Sequence, residues 1–173
     1  MNNMDSQIAQ VIREAIKLEL GGRAFFDHAV EMTDSELGKK TFRKLAKDEM
    51  DHLNTFGKLF SELIGGEEWK RWVQEEKQKD KSSLIEEMKP RLEKKEKAGE
   101  LEAISIGMEL ERKAIEFFEN SAKETKDQKA KEIFNRIADE ERFHYDLLQA
   151  QYDSVNNSGF WLDVAEFKMD SKF

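Results

Sequence analysis

The 173-residue sequence contains no cysteine. That excludes disulfides, thiolate metal sites and thiol nucleophiles within the chain. It has a single proline, so little in it interrupts long helices. No apolar run approaches the roughly 20 residues of a membrane span. The opening residues, Met1 to Asp5, do not read as a signal peptide. A soluble, cytoplasmic protein without membrane contact is the expectation. A net charge of −8 argues against nucleic acid as a partner. Apolar and charged residues each make up 38% of the chain, the composition of long helices with charged outer faces around one core. At this length the core belongs to one domain.

What is present is organised around Glu49-Met50-Asp51-His52. Residues three apart on a helix lie about 60° apart around its axis, so Glu49 and His52 share a face. The rest of that face is apolar, with Phe42, Leu45, Phe56, Leu59 and Leu63 stepping through it at alternating threes and fours. A carboxylate and an imidazole thus stand in the middle of a core seam, and burying a carboxylate without a partner is costly. The device recurs. Glu141 and His144 repeat the Glu-x-x-His spacing 92 positions later. The same offset carries Ile12 to Ile104, Glu19 to Glu111, Phe25-Phe26 to Phe117-Phe118, Phe42 to Phe134 and Ala46 to Ala138, with no gap. The pattern predicts a duplicated helix-turn-helix unit.

Taken in order, a first helix is expected over about 6–32, with Ile8, Ile12, Ala15, Glu19, Gly22, Phe26 and Ala29 on its inner stripe. Glu19 is the only charge on that stripe. Gly21-Gly22 beside it reads as close packing or as room for a ligand. After a short turn at 33–35, a second helix should run to about 63 and stop at Gly65-Gly66. The two are antiparallel neighbours. A crossover of about 66–97 follows. Trp69, Trp72 and Val73 suggest one short amphipathic helix there. Ser82-Ser83 suggests a second around Leu84, Ile85, Met88 and Leu92, broken by Pro90. A third long helix over about 99–125 carries Ile104, Gly107, Glu111, Ala114, Phe118 and Ser121 inward. A fourth over about 128–151 carries Phe134, Ile137, Glu141, His144 and Leu148. A tail, 153–173, opens on the turn signal Asn156-Asn157-Ser158-Gly159 and is apolar enough at Phe160-Trp161-Leu162 to pack on the bundle or on a partner subunit. The fold is all-α, an antiparallel four-helix bundle with a long crossover between the second and third helices.

Four helices each present a glutamate inward, Glu19, Glu49, Glu111 and Glu141, and two add a histidine one turn on, His52 and His144. One glutamate from each of two helices, with Glu-x-x-His from each of the other two, is the recipe for a carboxylate-bridged two-metal site. Four carboxylates balance two divalent cations. Oxygen-rich ligation with one imidazole per ion suits iron or manganese.

The pattern resembles the ferritin-like di-iron superfamily, and within it the rubrerythrin branch, including members that consist of the four-helix domain alone. The matching motifs span about Ile12 to His144. The resemblance implies a ferritin-like domain over 1–152 holding two iron ions, with manganese or zinc as alternatives. It implies Glu19 and Glu111 as terminal ligands, Glu49 and Glu141 as bridges, and one histidine per metal. It also implies reduction of hydrogen peroxide or dioxygen. The alternatives are ferroxidase or iron-handling activity, or metal binding without turnover. Three departures matter. With no cysteine, this chain has no rubredoxin iron site, so electrons must come from a separate donor such as a rubredoxin-type protein. Phe26 and Phe118 occupy positions where such proteins often carry tyrosine. Ala114 stands where rubrerythrins carry one further glutamate.

Four other polar side chains have readings of their own. Asp48 and Glu140, each four residues before a histidine, read as surface groups, with orientation of a histidine ring as the alternative. His28 reads as a surface residue, and Tyr145 as packing or as a redox group. The apolar residues of crossover and tail lead to the expectation of a homodimer.

Overall fold

The computed structural model describes residues 3–79, Glu86, 90–91 and 97–166. Among the described residues there are five α-helices and no strand: α1 (Asn3–Met32), α2 (Glu36–Ile64), α3 (Glu68–Gln78), α4 (Lys97–Glu124) and α5 (Gln128–Ser158), followed by a 3₁₀ turn at Val164–Glu166. The helix ends follow local chemistry. Ser35 caps α2 by accepting a hydrogen bond from the Gly38 N–H at 3.2 Å. Asp127 caps α5 by accepting from the Ala130 N–H at 2.8 Å. Such caps satisfy amides the helix cannot pair internally. At the other ends Gly65 (φ 71°) and Gly159 (φ 79°) adopt the left-handed conformation that glycine tolerates best.

The four long helices form an antiparallel bundle of two hairpins, α1–α2 and α4–α5. Each hairpin is packed along its length, and the hairpins meet less extensively through α1–α4 and α2–α5. Where their side chains are described, the inner stripes read from the sequence are buried on all four, except at Leu63, which is half-buried. They do not make one continuous core. One apolar cluster gathers Ile12, Ile16, Phe56, Phe60, Phe118 and Phe134 with their neighbours. A second gathers Phe25, Phe26, Phe42, Leu45, Ile104 and Leu148. The glutamates and histidines lie between these two clusters in each helix's sequence.

Three elements differ from expectation or extend it. First, α5 continues seven residues beyond Gln151. The inward stripe does not end there, because Gln151 and Val155 are both fully buried. Asn156 and Asn157 form the helix's last exposed turn, and only Gly159 ends it. Second, α3 is the expected tryptophan helix. It buries Trp72 and Val73, lays the Arg13 guanidinium over the Trp72 ring at 4.5 Å, and donates from Trp69 Nε1 to Ser61 Oγ at 2.8 Å. The second crossover helix, expected around Leu84 to Leu92, falls largely outside the described residues. Third, the segment after α5 turns back over the bundle. Trp161 and Val164 join the second apolar cluster. Gln151 holds both backbone groups of Leu162, donating to its carbonyl at 2.9 Å and accepting from its N–H at 2.8 Å.

Candidate metal centre

The helical periodicity aims Glu19, Glu49, Glu111 and Glu141 at one point, and the structure brings all six sequence-predicted residues together there. None exceeds 6% exposure. Ligand-type atoms of Glu19, Glu49, His52 and Glu141 all lie within 4.8 Å of one another, and so do those of Glu49, Glu111, Glu141 and His144. Glu49 and Glu141 belong to both groups, so they occupy the shared middle. Glu19 with His52 flanks one side and Glu111 with His144 the other. The two imidazoles stack nearly parallel, 5.5 Å apart at 16°.

Both rings turn the same atom inward. His52 Nδ1 stands 3.3 Å from Glu19 Oε2 and 3.2 Å from Glu141 Oε1. His144 Nδ1 stands 3.4–3.5 Å from oxygens of Glu49, Glu111 and Glu141. The approaches of Glu141 lack the angles of hydrogen bonds, so both its oxygens are unpaired by geometry, as are Glu19 Oε1, Glu111 Oε1 and His144 Nδ1. Buried polar atoms are normally satisfied. Five orphans in one place, all of them electron-pair donors available to a cation, fit a bound metal.

Electrostatics agree. Burial, then the charges of Glu141 and Glu49, pushes Glu19 well above the usual carboxylate range, and the same causes push Glu111 up. Burial also works against ionised Glu141, but the close approach of Glu111, His144 and His52 outweighs it and holds that carboxyl well below the usual range. Burial opposes charge on His52 and His144 too. The carboxylates of Glu19, Glu140 and Glu141 around the one, and of Glu111, Asp48 and Glu141 around the other, overcome it and raise both. Without a cation the cluster holds protons instead.

Over residues 10–152 the sequence matches the rubrerythrin family. The chain belongs to the rubrerythrin family. No curated protein and no solved structure matches the sequence significantly. Family membership and the buried donors together suggest a metal site of the di-iron type in this rubrerythrin. No helix among the described residues is long and apolar enough to cross a membrane.

The remaining candidates are placed as follows. Phe26 and Phe118 are fully buried, and Ala114 is buried at 7% exposure. Gly22 brings the α1 backbone against the centre: a methyl there would stand 3.6 Å from Glu49 Cδ, in ordinary contact, while Gly21 faces open space. Tyr145 is half-buried, and its hydroxyl accepts from Arg112 Nη2 at 2.9 Å. His28 is not a surface histidine: its ring is half-buried and its Nε2 is enclosed.

Asp48 and Glu140 are not free surface groups either. Their side chains are 19% and 20% exposed. Asp48 Oδ2 lies 3.1 Å from Nε2 of His144, and Glu140 Oε2 pairs with Nε2 of His52. Each therefore contacts the histidine of the other hairpin, not the one four residues along its own helix. Spacing within one helix carries no sign of this, because it depends on how α2 and α5 are set against each other.

Proposed function

We propose that this rubrerythrin reduces hydrogen peroxide, or dioxygen, at a binuclear iron centre, drawing electrons from a separate donor protein. The observation that carries the reading is the pair of four-residue groups sharing Glu49 and Glu141. Glu49 and Glu141 would bridge two ions, Glu19 and His52 would complete one position, and Glu111 and His144 the other. Bound as a ferrous pair, iron would supply the two electrons that peroxide takes up, with two protons, in becoming two waters. The chain's part is to hold the donors fixed before the ions arrive, to match four carboxylates to two dications, and to keep bulk water away with the phenylalanines of both flanking clusters. No phenol stands at Phe26 or Phe118 to donate a proton or an electron, so both must be delivered from elsewhere.

The test is anaerobic loading of metal-free protein with two equivalents of ferrous iron, then addition of peroxide or oxygen. The near-ultraviolet absorption of the oxidised pair is followed. Rapid oxidation and re-reduction by a small electron-transfer protein is the expected result. Oxidation with iron accumulating as mineral would make the chain a ferroxidase. Purified protein carrying zinc that never oxidises anything would make it a metal-binding protein without turnover.

A further inference from the structure

We infer that Asp48 and Glu140 are positioning residues, each fixing the histidine of the opposite hairpin, so that each metal position depends on an acid from the other half of the repeat. The inference rests on the reading of His52 and His144 as ligands.

An imidazole has two nitrogens, and neutral imidazole carries its proton on one of them. An acceptor beside one nitrogen draws the proton there and leaves the other nitrogen's lone pair free. Here the acceptors stand at Nε2 on both rings: Asp48 beside His144 at 3.1 Å, and Glu140 beside His52. Carboxylates face Nδ1 on both rings as well, His52 Nδ1 lying 3.3 Å from Glu19 Oε2; a cation held among those carboxylates would keep the proton off Nδ1, and the acids at Nε2 are placed to accept the one that remains. With that cation, the acids thus select both the tautomer and the tilt of the ring.

Asp48 is itself held. Lys44, one turn back on α2, meets Asp48 Oδ2 at 2.9 Å. Asp48 and Glu140 occupy equivalent places in the repeat, and the aspartate and the longer glutamate make the same kind of contact. Because the pairing crosses between α2 and α5, the effect of a substitution should appear on the hairpin it was not made in. Asp48 on α2 governs the position served by Glu111 and His144. Glu140 on α5 governs the position served by Glu19 and His52.

The experiment uses full-length metal-free protein titrated with cobalt(II), followed by visible absorption and by the paramagnetically shifted imidazole N–H resonances. Wild type should bind two ions and show two exchangeable ring N–H signals. Asp48→Ala should weaken one position about 10–100-fold and shift or broaden the His144 signal alone. Glu140→Ala should do the same to the other position and the His52 signal. Asp48→Glu and Glu140→Asp, which keep a carboxylate, should recover most of the loss. A merely structural role would lower both positions together, or lower thermal stability with both signals unmoved, and either result overturns the inference. So does an effect of Asp48→Ala on the His52 signal in place of the His144 signal. Wild type that fails to take up two ions refutes the ligand assignment, a separate failure from that of the positioning.

Discussion

Glu111→Gln should stabilise the metal-free protein and weaken its response to metal. Glu111 is 2% exposed, and its Oε1 has no hydrogen-bond partner. Burial and the neighbouring charges of Glu141 and Glu49 disfavour its ionised form. A buried polar group left unpaired costs about 1–3 kcal/mol. Glutamine has nearly the same shape, no charge, and an N–H to offer the facing carboxylates. At pH 8 the metal-free variant should gain about 1–3 kcal/mol, which for a chain of this length raises Tm by roughly 2–12 °C. With manganese(II) at about 100 times the wild-type Kd, each wild-type site adds roughly 2.7 kcal/mol. At the position that Glu111 completes, a variant bound 100-fold more weakly gains only about 0.4 kcal/mol under the same conditions. Differential scanning calorimetry of both proteins, with chelator and with manganese, reads both effects. A metal-free Glu111→Gln melting below wild type, or the two proteins gaining equally from manganese, would refute the reasoning.

The pH dependence of the metal-free fold has a definite sign. Glu19, Glu111, His52 and His144 are all raised on folding from ordinary values of 4.5 and 6.5, so their stabilising contribution is complete at low pH and is lost as pH climbs through the raised values. Glu141 and Asp48 are lowered, so theirs is lost only in acid, below the usual carboxylate range. Calorimetry should therefore show the metal-free Tm falling from pH 5 to pH 9; a flat or rising profile would contradict it. Gly57→Ala puts a methyl into the six-membered ring of Trp69. The cost of about 1–3 kcal/mol for overpacking should exceed the roughly 1 kcal/mol gained in helix propensity, and tryptophan fluorescence should shift to the red. An unmoved emission with a net gain in stability would mean that Trp69 does not sit there. Gln151→Leu removes the bonds to Thr41 Oγ1 and to both backbone groups of Leu162. The expected loss is about 2–4 kcal/mol, with faster amide exchange at 160–165 and unchanged metal stoichiometry. Exchange as slow as in wild type would show that the segment is held by other contacts.

The sequence made the four helices and the ligand-type residues legible for one reason: a charged residue on a stripe of phenylalanine, leucine and alanine is conspicuous. Glu19, Glu49, Glu111 and Glu141 are each found by helical period alone, and the offset of 92 ties the halves together. The crossed contacts of Asp48 and Glu140 were not legible, because they depend on the set of one hairpin against the other. The repeat also runs further than the helices suggest, since Trp69 and Trp161 are likewise 92 apart. Their surroundings differ. Trp69 folds back on its own hairpin at Gly57, whereas Trp161 reaches the other hairpin at Gly38, where an added methyl would stand 2.7 Å from its Cε2. Equivalent positions in sequence need not have equivalent neighbours once the connecting segments diverge. The end of α5 was misplaced for a local reason. Asn156-Asn157-Ser158-Gly159 does signal a stop, but only Gly159 carries it out, and the burial of Val155 that keeps the helix going is a tertiary fact.

The division of the apolar interior into two clusters has a consequence beyond chemistry. Its weakest plane runs through the middle, where buried carboxylates face one another and only the pairs of Asp48 with His144 and of Glu140 with His52 would reinforce what bound cations hold together. If that centre holds metal, a chain starved of it would be loosest at its own waist, and quality-control proteases act on chains that open most often. Cellular abundance should then follow metal supply at constant synthesis, making the polypeptide's lifetime a gauge of the ions its centre would take up.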